Sequence, residues 1–295
     1  MIPASELILR PDGSLYHLHL LPGQVAKTII TVGDPERVAQ VSRRFDRVEL
    51  RVTAREFVTH TGELNGKRLT VISTGIGTDN VDIVLNELDA LFNIDLQRRE
   101  VHDTLTPLTF LRLGTSGAFQ ADLPLDSFLL STASLALDGL LSFYGTVPDP
   151  IGDDLAAHLA GHRQHLPIAP LVVRPQLPEL DWGDDLPRGI TLTAAGFYAP
   201  QGRSLRLPTV LQPALLDALR SFQAGDLRIT NIEMETAGIY GLASALGHRA
   251  ASLSALLANR AAGTFSATPA ATVERLIDYG LALLVGDGSA DAVDV

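Results

Sequence analysis

Cysteine is absent from this sequence of 295 residues. Its absence excludes disulfide bonds, cysteine-ligated zinc or iron–sulfur centres, and catalysis by a thiol nucleophile. Long apolar runs are also missing, and the first residues lack the basic start and apolar core of a signal peptide. We therefore expect a soluble, cytoplasmic protein without a membrane partner.

Basic residues are few: 23 lysines and arginines stand against 34 aspartates and glutamates, for a net charge of −11. Nucleic acids and anionic membranes are polyanions, so this balance argues against both as main partners. It still allows a local basic site for a small anion. The length and the 46% apolar content predict one large domain over 1–295. A frayed tail is expected at 286–295.

Several familiar templates are incomplete. The glycine run at 75–77 opens like a dinucleotide-binding fingerprint but lacks the third glycine. A Walker A motif, a Gly-x-Ser-x-Gly nucleophile elbow and a His-Glu-x-x-His metal motif are all absent. We interpret His158, His162 and His165 as part of a solvated surface rather than a metal site.

Segments typical of strands alternate with segments typical of helices, which predicts an α/β fold whose mixed central sheet has helices on both faces. The predicted strands cover 28–32, 55–63, 68–73, 109–113, 127–132, 168–173, 190–195 and 250–257. The predicted helices cover 36–44, 79–92, 151–162, 212–223, 234–247 and 268–285. Asn65-Gly66 predicts a hairpin turn, and the polar stretch 93–107 is interpreted as an insertion.

Three predicted strands run into glycine-rich turns, at 33–35, 75–77 and 114–117. Turns that follow parallel strands meet at one sheet edge, where their backbone N–H groups suit an anion. Arg37 lies four residues after Gly33, and Arg112 lies two residues before Gly114. Together these features indicate a phosphate site. The alternative is that the glycines only turn the chain and the arginines are surface charges.

Other candidate residues stand outside these turns. The stretch GFYAPQGR at 196–203 combines an aromatic face, an amide and a guanidinium, which suits a pocket for a flat polar ring. Glu233 and Glu235, two residues apart, are expected to point apart, so that one reaches a pocket. The alternative is a pair of helix N-terminal acids. His17 lies in an alternating, strand-like stretch and is interpreted on its own as a structural histidine.

Four motifs occur together in a typical order: GDPERV at 33–38, STGIG at 73–77, LRLGTSGA at 111–118 and EME at 233–235. In these four motifs and in their order, the sequence resembles the nucleoside phosphorylases. The resemblance extends from about Tyr16 to the last predicted helix. Within that family the sequence is most similar to the uridine phosphorylases. The resemblance implies the family's mixed α/β fold. It also implies phosphate-dependent cleavage of uridine to uracil and ribose 1-phosphate, with no cofactor required.

The resemblance assigns residues to subsites. It implies that phosphate is bound by Gly33, Arg37, Arg112 and Thr115, and by Arg55 from a neighbouring subunit. It implies that ribose is bound by Met234, Glu235 and a neighbouring subunit's His17. The implied base-binding residues are Phe197, Gln201, Arg203 and Arg260. The implied catalytic group is Arg37, Arg112, Glu235 and Arg203, and Glu56 is implied in a potassium site between subunits.

Because His17 and Arg55 are implied to cross an interface, we expect a homodimer as the smallest active unit and a hexamer as the full assembly. Purine-cleaving members carry an acid after the late strand, whereas 254–260 contains none, which favours a pyrimidine. The alternatives are a purine nucleoside phosphorylase, a nucleosidase and a non-catalytic nucleoside binder. Pro200 departs from the family pattern in the base loop, and Asn80 does so at the potassium site.

Overall fold

The computed structural model describes residues 1–166 and 168–286. Its strands are β1 (Thr28–Val32), β2 (Arg47–Ala54), β3 (Phe57–Leu64), β4 (Lys67–Ser73), β5 (Ile94–Asp95), β6 (Glu100–Val101), β7 (Thr109–Ala118), β8 (Phe128–Leu137), β9 (Leu171–Val173), β10 (Arg188–Ala194), β11 (Gln223–Ala224), β12 (Leu227–Glu233), β13 (Arg249–Asn259) and β14 (Thr264–Phe265). Its α-helices are α1 (Pro35–Ser42), α2 (Thr78–Asn93), α3 (Ile151–His158), α4 (Pro213–Ser221), α5 (Thr236–Ala245) and α6 (Pro269–Val285). Short 3-10 turns cover Leu140–Phe143, Ala160–His165 and Ala199–Gln201.

The main sheet has the strand order β11-β12-β10-β8-β13-β7-β1-β4-β3-β2. The pairs β1–β4, β1–β7, β7–β13, β8–β10 and β10–β12 are parallel, whereas β2, β3 and β4 form an antiparallel meander. β12 also pairs with β7, so β7, β13, β8, β10 and β12 close into a ring. This mixed sheet confirms the predicted fold class.

Helices cover both faces of the sheet. Neighbouring residues of a strand point to opposite faces. Accordingly, Ile29 of β1 packs into one apolar cluster with Val84 of α2, and Ile30 packs into another with Val41 of α1 and Ile277 of α6. All five side chains are fully buried. Within the described ranges, no helix has the length and apolarity needed to cross a membrane.

Several details of the prediction are confirmed and others are wrong. Asn65 and Gly66 have φ of 48° and 73°, which is the backbone of a type I′ hairpin turn. The predicted glycine turn at 114–117 is wrong, because β7 continues through it to Ala118, paired with β13. The strand-like interpretation around His17 is also wrong, since residues 16–18 form a turn.

The remaining differences lie in the periphery. β2 alternates charged and apolar residues as an edge strand, and neither it nor β12 was predicted. The helix predicted to 162 ends at His158. The insertion at 93–107 contains the small β5–β6 hairpin, and Asn93 fastens it through hydrogen bonds with Thr106. Apart from Gly286, the predicted frayed tail lies outside the described residues.

Candidate active site

A cleft of about 1180 Å³ lies where the parallel strands end. It collects the segments that follow β1, β4, β10, β12 and β13, together with the second half of β7. Eleven of the residues singled out in the sequence line it: Gly33, Arg37, Glu56, Arg112, Thr115, Phe197, Gln201, Arg203, Met234, Glu235 and Arg260. His17 and Arg55 do not line it. The sheet edge therefore brings together residues separated by more than two hundred positions.

The turn after β1 presents a helix N-terminus to the cleft. Asp34 caps α1 by accepting a hydrogen bond from the Glu36 backbone N–H at 2.9 Å, and Pro35 occupies the first helical position. Arg37 follows on the first turn, and its Nη1 donates to the Leu113 carbonyl at 3.4 Å. Burial lowers the pKa of Arg37, an effect that Asp34 opposes and Arg112 increases. This corner suits an anion.

Arg112 lies in β7 and is almost completely buried. Alternate residues of a strand share a face, so the Arg112 side chain lies over Gly114. A Cβ at Gly114 would lie 1.9 Å from Arg112 Nη1. Gly114 is therefore required for close approach rather than for a turn. The sequence shows this Arg-x-Gly spacing, but it indicates a side chain packed over the glycine only if the strand continues through Gly114.

Two carboxylates converge on the Arg112 guanidinium. Its Nη2 lies 2.7 Å from Glu235 Oε2 and 3.0 Å from Glu233 Oε2. The prediction that these two acids point apart is wrong, because the chain changes from strand to helix between them and the rule for helix neighbours does not apply. Burial acts to lower the pKa of Arg112, but the two carboxylates hold it above its ordinary value.

The carboxylates of Glu233 and Glu235 accept hydrogen bonds from different parts of the backbone. Glu233 accepts hydrogen bonds from the backbone N–H groups of Glu235 and Thr236, both at 2.9 Å, so it caps α5. Glu235 accepts from the Gly77 N–H at 2.8 Å, which ties the turn after β4 to the same site. Burial raises the pKa of Glu235, against the opposing charge of Arg112 and with help from Glu233. Both acids line the cleft, and the Glu235 side chain is the more exposed of the two, at 9% against 2% for Glu233.

The loop after β10 forms the far end of the cleft. Arg203 stacks on Phe197, with Cζ 3.9 Å from the ring centroid, and its Nη1 donates to the Phe197 carbonyl at 2.7 Å. The same Nη1 donates to Gln201 Oε1, and Gln201 is only 2% exposed. One carbonyl lone pair and the amide N–H groups of Gln201 stay available to a ligand. Pro200 lies inside the 3-10 turn that holds this arrangement.

Arg260 follows β13 and faces the same end. Burial lowers its pKa to about 10, and the positive charges of Arg203 and Arg220 add to this effect. Within the described residues, its Nη1 is buried without a hydrogen-bond partner. Gly117 gives it room, since a Cβ there would lie 3.2 Å from Arg260 Cγ. A buried guanidinium nitrogen without a partner favours a ligand with acceptor atoms.

Sequence reasoning also missed Ser116, which lines the cleft. Its Oγ accepts a hydrogen bond from Asn231 Nδ2 at 2.9 Å, and Asn231 is completely buried. Only the pairing of β7 with β12 brings these two residues together.

The remaining predicted residues lie at the rim. Glu56 and Asn80 both border the cleft, and a Cβ at Gly75 would lie 3.4 Å from Glu56 Cγ and 2.4 Å from Asn80 Nδ2. Within the described part of the chain, no group of three or more histidines and acids gathers to hold a metal ion. Glu56 therefore offers a single carboxylate, and the potassium site between subunits stays a prediction.

Comparison with known proteins agrees with the geometry. A family model of the phosphorylase superfamily matches residues 27–282. A uridine phosphorylase from Thermococcus kodakarensis is 32% identical over 265 residues, covering 86% of this chain and 80% of the relative. One from Haemophilus influenzae is 28% identical over 250 residues, covering 83% and 86% respectively.

A solved structure gives the same result. A Trypanosoma brucei nucleoside phosphorylase, described as showing uridine phosphorylase activity, matches with a TM-score of 0.84 and 25% identity, over 96% of this chain and 100% of that one. This chain belongs to the phosphorylase superfamily and is a nucleoside phosphorylase that uses phosphate as its second substrate.

Proposed function

We propose that this nucleoside phosphorylase is a uridine phosphorylase, which converts uridine and phosphate to uracil and ribose 1-phosphate. In this reaction a phosphate oxygen attacks C1′ while the bond from C1′ to N1 of uracil breaks, and the bonding electrons leave with the base. The transition state carries positive charge on the ribose and negative charge on the base. The protein must therefore position an anion, a sugar and a leaving base in line.

The phosphate subsite comprises Arg37, Arg112, the backbone of Gly33 and the Thr115 hydroxyl. Two guanidiniums provide charge-assisted hydrogen bonds to the phosphate oxygens. The N-terminus of α1 adds its partial positive charge on the same side. Because phosphate itself is the nucleophile, no side chain needs to form a covalent intermediate, and the lack of cysteine is without consequence.

The ribose subsite comprises Met234 and Glu235. Glu235 Oε2 is engaged with Arg112 and Oε1 with the Gly77 N–H, but each carboxylate oxygen accepts more than one hydrogen bond. Its remaining lone pairs can accept from the ribose hydroxyls. Its negative charge also stabilises the oxocarbenium-like sugar of the transition state.

The observation that carries the choice of base is the contact of Arg203 with Gln201. By donating to Gln201 Oε1, Arg203 holds the amide in one orientation. Gln201 then has a donor and an acceptor side by side, as required for O2 and N3–H of uracil. Phe197 supplies the stacking face, and Arg203 and Arg260 supply positive charge for the leaving uracil anion.

The part of the cleft formed by β13 and the residue after it disfavours a purine as the leaving base. The residues of β13 and its continuation that line the cleft are Leu257, Ala258, Asn259 and Arg260. None can protonate a leaving purine near neutral pH. The similarity to uridine phosphorylases, described above, supports the same choice.

The proposed active unit is a homodimer, within a hexamer, in which His17 and Arg55 complete the neighbouring subunit's ribose and phosphate subsites. Support comes from their location, since both lie outside their own chain's cleft. The cytoplasmic location remains a prediction from the sequence.

A nucleoside panel tests the proposal. Uridine, thymidine, 2′-deoxyuridine, inosine and adenosine are incubated with and without phosphate, and base release is measured. We expect rapid release from uridine only when phosphate is present. Faster release from inosine would identify a purine enzyme, and release without phosphate would identify a nucleosidase. Uridine binding without turnover would identify a non-catalytic binder.

A further inference from the structure

The turn that carries His17 is held by one carboxylate, that of Glu87 in α2. Glu87 accepts a hydrogen bond from the backbone N–H of His17 at 3.1 Å and from that of Leu18 at 2.9 Å. His17 Nδ1 lies 2.6 Å from Glu87 Oε1. A carboxylate can only accept, so Nδ1 carries the proton and the Nε2 of the neutral ring is an acceptor.

His17 also belongs to a small surface group. The ring of Tyr16 meets that of His17 edge to face, with centroids 4.9 Å apart. Arg55 also lies against Tyr16, with its Cζ 5.5 Å from the centroid of the Tyr16 ring. Tyr16 is 41% exposed, and Arg55 is exposed as well. The two residues proposed above to serve a neighbouring subunit are thus assembled together, away from their own cleft.

We propose that Glu87 is a positioning residue, which fixes His17 with its proton on Nδ1 so that Nε2 accepts a hydrogen bond from a ribose hydroxyl in the neighbouring subunit's cleft. This inference rests on the proposed function. Nothing else in the described residues forms a hydrogen bond with the His17 ring. Glu87 thus sets both the ring's orientation and which of its nitrogens can accept.

The substitution Glu87→Gln distinguishes two roles of Glu87: fixing the proton of His17 on Nδ1, and only holding the backbone of the turn. The amide oxygen can still accept from the backbone N–H groups of the turn, but the amide N–H₂ faces Nδ1. Nδ1 then becomes an acceptor and the ring proton moves to Nε2, so the ribose hydroxyl can no longer donate to Nε2 and must turn to accept from Nε2–H. Glu179→Gln is the matched control, because it makes the same chemical change at a side chain that is 85% exposed.

The first measurement is the His17 tautomer by ¹⁵N NMR, assigned with His17→Ala. The second is kcat/KM for uridine and for its 2′-, 3′- and 5′-deoxy analogues. We expect Glu87→Gln to move the proton from Nδ1 to Nε2 and to lower kcat/KM for uridine about tenfold, with the KM for phosphate unchanged. For the one analogue that lacks the contacted hydroxyl, wild type and Glu87→Gln should be equal. Glu179→Gln should match wild type throughout.

An unchanged tautomer, or an equal loss on uridine and all three analogues, would overturn the inference and leave Glu87 with a structural role only. Failure of the proposed function would look different, since wild type itself would then not cleave uridine with phosphate.

Discussion

Arg112 and Glu235 form a buried ion pair at the floor of the cleft, with Nη2 2.7 Å from Oε2 and both side chains less than 10% exposed. Arg112 belongs to the proposed phosphate subsite and Glu235 to the ribose subsite. The two subsites are therefore one electrostatic unit, and substituting either residue changes the charge that both substrates meet.

Gly114→Ala should inactivate the enzyme although it replaces no polar side chain. The new Cβ would lie 1.9 Å from Arg112 Nη1, so the guanidinium must move. We expect kcat/KM for phosphate to fall more than about 100-fold and the free energy of unfolding to fall by about 1 to 3 kcal/mol. Gly145→Ala is the control, because nothing lies within 4 Å of its Cβ. Normal phosphate kinetics in Gly114→Ala would contradict the role given to Arg112.

Arg112→Ala should abolish phosphate-dependent cleavage. Because Arg112 is buried against two carboxylates, the substitution should also destabilise the fold. Removing the arginine leaves two buried carboxylates without their cation, which lowers the free energy of unfolding by about 3 to 5 kcal/mol. Arg112→Lys keeps the charge but not the planar guanidinium, so it should lose activity with a smaller loss of stability. Urea unfolding and phosphate-dependent rates measure both effects, and unchanged stability of Arg112→Ala would refute the prediction.

Glu235 should make stability depend on pH. Burial raises its pKa above the ordinary value of 4.5, so above that pH the folded state retains a proton that the unfolded state has lost. The free energy of unfolding therefore falls as the pH rises through this window. Glu235→Gln lacks this titration. We expect the stability of wild type relative to Glu235→Gln to fall as the pH rises above about 4.5. A difference that rises with pH would show that the ion pair dominates over burial.

Arg260→Met should lower the activity and raise the free energy of unfolding. The Arg260 guanidinium is partly buried, and its pKa is lowered to about 10 by burial and by neighbouring arginines. Removing this charge should raise the free energy of unfolding by about 1 kcal/mol, a value reduced for the solvent that screens the group. It should also lower kcat for uridine, because the leaving uracil anion loses a positive neighbour. Arg98→Met, at an exposed side chain, controls for the general loss of an arginine. A fall in stability would contradict the prediction.

Mixed oligomers test whether subunits share sites. His17→Ala and Arg37→Ala are each expected to be nearly inactive. If His17 acts in the neighbouring subunit's cleft, a hybrid dimer contains one site with both residues intact. Random exchange of subunits between equal amounts of the two variants should then restore about a quarter of wild-type activity. Activity that does not rise above that of the separate variants would show that both residues act within one chain.

Much of the site could be predicted because its residues follow strands at one sheet edge. Arg37 and Arg112, the glycine turn after β1 and the loop at 196–203 all belong to local motifs that can be recognised in the sequence. The interpretation of 114–117 as a turn was wrong because glycine permits close packing as well as turning. Only the contact with Arg112 distinguishes the two uses.

The sequence by itself determined the α/β alternation, the absence of thiol chemistry, the glycine turn between β1 and α1 and the lack of an acid in 254–260. These follow from local propensity and from residue chemistry. The tertiary structure alone decided that Glu233 and Glu235 meet at one guanidinium, that Asn231 reaches Ser116 and that Glu87 holds His17. Each joins segments 70 to 123 positions apart. Such contacts depend on strand order and helix packing, which no short stretch of sequence specifies.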